Sequence, residues 1–241
     1  MSKRSSNRYQ QELLPEEEQP LPAGFHYLAG YLDAATQTAV LSDVQTILAD
    51  APLFEQKMPR TGAPLSVRTS NAGDFGWVTD REKGYRYQQT HPVTGVRWPE
   101  IPSRLLKIWT DTTREKQAAN LCLVNFYGPG ARLGLHQDKG DASLAAPVLS
   151  ISLGDDAVFS FGTESRRSSL RRLELRSGDV IWFGDQSRLI YHSVERIRPG
   201  TSNLLKDAGF PVGGRINITL RRIERTLLVR ESYRNAELFR D

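Results

Sequence analysis

The amino-acid sequence predicts a mainly β fold, an antiparallel sandwich or barrel preceded by two helices. From Asn120 onward, short runs rich in β-branched and aromatic residues are separated by turn signals such as Ser177-Gly178-Asp179. No long helical pattern joins these runs, which is typical of antiparallel sheets and not of alternating β and α units. The 241 residues suffice for one large domain, which we place at 23–241.

The segment before the strands carries the two helical patterns. Residues 1–22 are polar and rich in proline, and they predict a flexible tail. Asp33 can cap a first helix, and a second is expected to begin near Pro102-Ser103. Their apolar faces would be formed by Val40, Leu41, Val44, Ile47 and Leu48 in the first helix and by Leu105, Ile108 and Trp109 in the second. Between them, residues 52–100 predict short strands and long loops.

Six runs after Asn120 are predicted as strands. Each is short, apolar and bounded by turn residues. They are Leu121–Tyr127, Val148–Leu153, Val158–Phe161, Leu170–Leu175, Val180–Phe183 and Ile216–Ile223.

Composition narrows the class of protein. The net charge of +4 is compatible with a polyanionic partner and equally with an ordinary basic soluble protein. No apolar run reaches the roughly eighteen residues that a membrane span needs, and the N-terminus lacks the apolar segment of a signal peptide. A single cysteine, Cys122, excludes an intramolecular disulfide and a cysteine-cluster metal site. We therefore expect a cytoplasmic protein.

Two histidines and one carboxylate form a candidate metal site. His136 and Asp138 are two residues apart, so on an extended chain both side chains project to the same face. With His192 they can occupy one face of an iron(II) octahedron and leave the remaining positions open. His136 and Asp138 can also be an ordinary hydrogen-bonded pair on the protein surface.

A second candidate site lies on the strand that begins at Arg215. Strict alternation places Arg215, Asn217, Thr219 and Arg221 on the face opposite Ile216, Ile218 and Leu220. Two guanidinium groups on one strand can bind the two carboxylates of a five-carbon dicarboxylate through charge-assisted hydrogen bonds. Asn125 and Tyr127, two apart on another strand, can add hydrogen bonds. An ordinary half-exposed strand would show the same alternation.

Taken together and in order, these motifs resemble the AlkB family of iron(II)- and 2-oxoglutarate-dependent dioxygenases, and most closely its bacterial members. The ordered set is Asn125-x-Tyr127, His136-x-Asp138, His192 and Arg215-x-Asn217-x-Thr219-x-Arg221. The resemblance covers about residues 55–225. It implies an α+β, mainly β fold with a double-stranded β-helix (jelly roll) core over 120–225, supporting helices and a nucleotide-recognition lid over 55–100.

The resemblance also implies roles for individual residues. His136, Asp138 and His192 would hold Fe(II), and with Arg221 they form the expected catalytic set. The residues expected to bind 2-oxoglutarate are Asn125, Tyr127, Arg215, Asn217, Thr219 and Arg221. Of these, Arg215 and Tyr127 would take the distal carboxylate, whereas Arg221, with Asn125 and Asn217, would serve the end that chelates iron.

Substrate residues follow from the same resemblance. Trp77 would stack on a flipped base, and Tyr85 and Tyr87 would hold flanking phosphates. Core packing is the other interpretation of these aromatics. Arg166 would contact substrate; with Arg167, Arg171 and Arg172 it can also be a set of solvated hairpin arginines.

The chain departs from the family pattern after His136-Gln137-Asp138-Lys139. Gly140 stands where bacterial relatives carry an acidic residue, and Asp141 follows one position later. Asp141 is therefore our candidate for the carboxylate that reads the base. Phe183 stands where relatives have a tryptophan, so the range of lesions can differ.

The expected activity is oxidative removal of N-alkyl groups, as from 1-methyladenine and 3-methylcytosine, in single-stranded or duplex DNA, with RNA as a further substrate. The enzyme, expected to be a monomer, would use Fe(II) as its cofactor and consume 2-oxoglutarate and O2. One competing hypothesis is the same iron chemistry on a protein or small molecule. Another is a non-catalytic nucleic-acid-binding protein, against which the complete set of ligands and arginines argues.

Overall fold

The architecture consists of three layers: helices, a large sheet and a small sheet. In the computed structural model, residues 20–139 and 145–224 are described. The helices are α1 (Ala34–Asp50), α2 (Ser103–Thr113) and α3 (Leu204–Asp207). The strands are β1 (Phe25–Leu28), β2 (Phe54–Lys57), β3 (Pro64–Gly73), β4 (Gly76–Asp80), β5 (Gly84–Gln88), β6 (Leu121–Tyr127), β7 (Leu133–His136), β8 (Val148–Gly154), β9 (Asp156–Phe161), β10 (Arg171–Leu175), β11 (Val180–Phe183), β12 (His192–Arg198) and β13 (Arg215–Arg221).

The strands form two principal antiparallel sheets and one hairpin. The large sheet has the order β1-β11-β8-β13-β6-β3-β2, and the small sheet has the order β10-β9-β12-β7. Within residues 20–139 and 145–224, strands β4 and β5 pair only with each other. The predicted mainly β, antiparallel architecture is therefore confirmed.

The large sheet separates two apolar cores. On one face, α1 and α2 pack against apolar residues of β6, β8 and β13, among them Ile216, Ile218 and Leu220. On the other face, a second cluster is built from both sheets and includes Tyr127 of β6 and Phe159 of β9. Because the apolar side of β13 faces the helices, its polar side faces the space between the sheets.

Both predicted helices are confirmed. The Asp33 carboxylate accepts a hydrogen bond from the Thr36 N–H at 2.7 Å, so it caps α1 as expected. Leu105, Ile108 and Trp109 of α2 are buried in the core. None of the helices in the described ranges is both long enough and apolar enough to cross a bilayer.

Three strands were not predicted: β1, β7 and β12. In β12 a register shift against β9, between Val194 and Arg196, breaks the alternation, so buried Val194 and Ile197 are three residues apart. Strand β7 is only four residues long and contains Gly134, a residue type that is disfavoured in strands. His192 is the first residue of β12.

Candidate active site

Pairing between β7 and β12 brings the two distant histidines together. His136 at the end of β7 lies directly opposite His192 at the start of β12, and their rings are 4.3 Å apart between centroids. Asp138 follows β7 by two residues. One ligand atom from each of the three side chains lies within 4.8 Å of the others. Residues more than fifty positions apart thus form one cluster.

Hydrogen bonds to main-chain carbonyls set the orientation of both imidazoles. Nδ1 of His136 is 2.8 Å from the Gly134 carbonyl oxygen, and Nδ1 of His192 is 3.2 Å from that of Ile190. If each Nδ1 carries the proton, each Nε2 has a free lone pair. The Nε2 atoms lie 3.9 and 3.8 Å from the Asp138 carboxylate oxygens. Burial, with the neighbouring His136, lowers the pKa of His192 to about 4, so its imidazole is neutral at pH 7.

The Asp138 carboxylate is buried and ionised. Burial alone would raise its pKa, but Arg221, His192 and His136 attract the negative charge and together hold the pKa well below its usual range. The Arg221 Nη2 donates to Asp138 Oδ1 at 2.8 Å. Arg188, to which the sequence analysis assigned no role, donates to the Asp138 main-chain oxygen at 3.0 Å.

This donor set fits a ferrous ion. Two imidazoles and one carboxylate are the ligands of iron(II) sites that leave open positions. Within the described ranges, no other group of three or more His, Cys, Asp or Glu residues comes together in this way. His136 is partly exposed, but Asp138 is only 7% exposed, so a hydrogen-bonded surface pair does not describe His136 and Asp138.

The buried cation on β13 is Arg215, which is 1% exposed. Its hydrogen bonds in the described part of the chain go to neutral acceptors: Ser152 Oγ at 2.6 Å and the carbonyl oxygens of Asp155 and Leu175. Its Nε has no hydrogen-bond partner there. Burial lowers its pKa to about 10. A buried guanidinium bonded only to neutral groups fits an incoming carboxylate, which would supply the missing counter-charge.

Polar residues continue from Arg215 along the same face. Tyr127 lies opposite Arg215, and Asn125 lies opposite Asn217. The Asn217 Oδ1 accepts from Asn125 Nδ2 at 3.3 Å and from the Thr219 hydroxyl at 3.0 Å. The structure therefore brings together all six residues expected to bind 2-oxoglutarate on two paired strands; their roles stay predictions.

Strand β13 lies between β8 and β6 inside the large sheet. Arg215, Thr219 and Arg221 are all buried. The interpretation of this segment as a half-exposed strand was therefore wrong.

Two serines of β8 belong to this polar face and had no assigned role. Ser150 accepts from Asn217 Nδ2 at 2.6 Å, and Ser152 accepts from Arg215. Their signal in the sequence is the Ser150-x-Ser152 spacing, which matches the alternation of β13. Only the antiparallel register, which sets Ser152 opposite Asn217, connects the two patterns.

The aromatics of the β4–β5 hairpin have different environments. Trp77 is partly buried and stacks on Tyr85 with ring centroids 5.7 Å apart, whereas Tyr85 is 56% exposed. Tyr87 is partly buried and packs on a small apolar cluster that includes Leu121. Leu121 lies opposite Arg221, so Tyr87 packs near the end of β13 that approaches Asp138. Pure core packing describes neither Trp77 nor Tyr85.

The arginines of the β9–β10 connection are not equivalent. Arg166 is exposed, and its guanidinium lies 5.6 Å from the centre of the Tyr191 ring. Arg172 is paired with Glu195 at 3.1 Å, and Arg171 donates to the Pro20 carbonyl. Arg167 is exposed like Arg166, and the expected substrate contact of Arg166 stays a prediction. Asp141 lies outside the described residues.

Comparisons with known proteins agree with this geometry. The 2OG-Fe(II) oxygenase superfamily matches residues 24–221. The chain is 45% identical over 199 residues to the alpha-ketoglutarate-dependent dioxygenase AlkB homolog of Caulobacter vibrioides (strain NA1000 / CB15N), covering 83% of this chain and 87% of the relative. It is 36% identical over 212 residues to the alpha-ketoglutarate-dependent dioxygenase AlkB of Escherichia coli (strain K12), covering 85% and 92%. The solved structure of OsALKBH1 matches with a TM-score of 0.71 and 31% identity over 85% of this chain and 100% of that chain.

Proposed function

The chain belongs to the 2OG-Fe(II) oxygenase superfamily and, within it, to the AlkB family, and on that premise we propose that it removes N-alkyl groups oxidatively from nucleic-acid bases. Its two antiparallel sheets form the jelly roll of these dioxygenases. The observation that carries the proposal is the buried triad of His136, Asp138 and His192 beside Arg221. The substrates are bases such as 1-methyladenine and 3-methylcytosine in DNA, with RNA as a further substrate.

The residues of the site divide into a metal set and a cosubstrate set. His136, Asp138 and His192 would hold Fe(II) through two Nε2 atoms and one carboxylate. When bound, the iron, with 2-oxoglutarate and O2, supplies the oxidation that yields succinate, CO2 and a hydroxylated alkyl carbon, which leaves as an aldehyde. The protein supplies binding, orientation and charge for this chemistry.

Each charged side chain has a defined task. Arg221 bonds to Asp138 Oδ1 and keeps the carboxylate ionised, so the metal set retains its one negative charge. Arg215 would bind the distal carboxylate of 2-oxoglutarate with Tyr127 beside it. Arg221, Asn125 and Asn217 would orient the other end of the cosubstrate. Because Arg215 and Arg221 are buried, these interactions would be little screened by solvent.

Substrate recognition is assigned to residues 55–100 as a nucleotide-recognition lid. The partly exposed Trp77 ring can stack on an extruded base, and Tyr85 is exposed beside it. Arg166 can contact a phosphate. We further propose that 23–241 is a single domain and that the enzyme works as a monomer in the cytoplasm, with Asp141 as the base-reading carboxylate.

The test is product analysis on defined lesions. The protein is loaded with Fe(II) and 2-oxoglutarate without oxygen, and oxygen is then admitted with oligonucleotides that carry 1-methyladenine, 3-methylcytosine or etheno adducts. We expect unmodified bases and succinate in equal amounts. Asp138→Ala is the matched control and should form neither. Succinate release with no repaired base on any oligonucleotide, DNA or RNA, would instead favour a protein or small-molecule substrate.

A further inference from the structure

The β4–β5 hairpin, which carries Trp77, is attached to the large sheet through side-chain hydrogen bonds to its main chain. Strand β4 pairs with β5 on one side and with no further strand among the described residues. A strand edge leaves alternate N–H and carbonyl groups without ladder partners, and a buried group of this kind must find another partner. On β4 the N–H and carbonyl groups of Trp77 and the N–H group of Thr79 bond instead to side chains of β2 and β3.

Gln56 supplies the first of these side chains. Its Nε2 donates to the Trp77 carbonyl at 3.0 Å and to the Thr69 hydroxyl at 3.0 Å, and its Oε1 accepts from the Thr79 N–H at 2.8 Å. The residue is 0% exposed. It lies where the β2–β3 register shifts between Glu55 and Lys57, an irregularity of the kind that redirects a side chain.

Asn71 supplies the second side chain. Its Oδ1 accepts from the Trp77 N–H at 3.1 Å, and its Nδ2 lies 3.4 Å from the Trp77 carbonyl oxygen. It is likewise 0% exposed. One amide side chain thus bonds to both polar main-chain groups of Trp77, as a residue on a neighbouring strand would.

We propose that Gln56 and Asn71 are positioning residues, which set the place of the Trp77 ring by holding its main chain against the edge of the large sheet. The inference rests on the proposed function, since it takes the ring to be the platform for the alkylated base. Two amides on two different strands hold Trp77 from outside its own hairpin. A change in either amide therefore moves the stacking surface without touching the metal or cosubstrate residues.

The test is a double-mutant cycle on affinity for an oligonucleotide with one 1-methyladenine, measured by fluorescence anisotropy on the full chain without added iron. Trp77→Ala should raise the Kd roughly 5- to 150-fold, the cost of a lost stack. Gln56→Met should raise it about 2- to 10-fold in the wild-type background, through the lost hydrogen bonds. In the Trp77→Ala background the same change should have no effect, because its only route to the base is gone.

Hydrogen exchange supplies a readout that does not depend on nucleic acid. Gln56→Met should speed exchange of the Thr79 amide, and Asn71→Leu should speed that of the Trp77 amide. Asn71→Leu is taken through the same cycle, so the test does not depend on the folding of one variant. The control is Gln37→Met, which removes an amide with two hydrogen bonds to Leu32 and Ser177, residues outside the hairpin and the two strands that hold it. It should leave both exchange rates and the Kd unchanged.

Two results would overturn the inference. The first is an equal loss of affinity from Gln56→Met in both backgrounds, since the residue would then act without Trp77. The second is faster amide exchange with an unchanged Kd, since the ring position would not matter. A wild-type protein that binds no alkylated oligonucleotide would overturn the proposed function, and this is visible before any variant is made.

Discussion

Replacing Arg215 should separate cosubstrate binding from every other property of the protein. Arg215→Met removes a buried guanidinium whose hydrogen bonds in the described part of the chain go to Ser152 Oγ and two carbonyl oxygens, all neutral. A charge-assisted hydrogen bond to a carboxylate is worth about 1.5–3 kcal/mol. Since 1.4 kcal/mol is a factor of ten, the Kd and KM for 2-oxoglutarate should rise about 10- to 150-fold.

Arg215→Met should lower the free energy of unfolding only slightly, so a change in cosubstrate binding can be separated from unfolding. A buried cation with no carboxylate hydrogen-bonded to it in the described part of the chain is expensive, so its loss offsets the broken bonds to Ser152 and the carbonyl groups. The assay is 2-oxoglutarate titration, followed both by succinate release and by the ligand-dependent rise in Tm. Arg198→Met is the control, because Arg198 is a partly exposed arginine paired with Glu174 at 2.8 Å. Normal cosubstrate dependence with impaired oligonucleotide binding in Arg215→Met would refute the assignment.

Three further predictions concern the metal, the substrate and pH. Asp138→Ala should abolish turnover and weaken Fe(II) binding measured by equilibrium dialysis, because it removes the one negative ligand. Arg166→Ala should lower the slope of log Kd against log salt for single-stranded DNA by roughly 0.7, the value for one phosphate contact. Trp77→Ala should instead weaken lesion binding by about 1–3 kcal/mol and leave the slope unchanged. If Trp77→Ala unfolds the protein and Arg166→Ala leaves the slope unchanged, Trp77 is a core residue and Arg166 is a solvated hairpin arginine. In the metal-free protein, the pKa of His192 lies at about 4 in the folded state and near 6.5 in the unfolded state. Between these pH values the unfolded chain binds a proton that the folded protein does not. The free energy of unfolding should therefore fall by about 3 kcal/mol from pH 6.5 to pH 4. Urea unfolding of His192→Asn should show a flatter pH dependence, and an unaltered slope would contradict the buried neutral imidazole.

The elements that could be predicted are those whose pattern is local and regular. Helix α1 has an Asp33 cap and an apolar face at helical spacing, and both depend only on neighbouring residues. Strand β13 alternates without interruption from Arg215 to Arg221. Strand β12 was missed because its bulge near Glu195 is a property of its pairing with β9 and interrupts the period of two.

Some features of the candidate site could likewise be predicted from the sequence, and others could not. The types and order of His136, Asp138, His192 and Arg215 are visible in the chain, and the resemblance to a family rests on them. Whether the polar face of β13 meets solvent or a closed interior is not visible, because alternation is the same in both cases. The small sheet, which packs over that face of the large sheet, decided the question and buries Arg215, Thr219 and Arg221.

By itself, therefore, the amino-acid sequence determined the mainly β class, helices α1 and α2, and the residue types that can hold iron and a dicarboxylate; α3 was not predicted. Only the tertiary structure decided which side chains support them: Arg188 on the main chain of Asp138, Ser152 on Arg215, and Gln56 with Asn71 on Trp77. Most of these contacts join segments that are distant in the chain, and most of them end on main-chain atoms. A main-chain group is the same at every residue, so no sequence pattern marks it as a partner until the fold brings the two together.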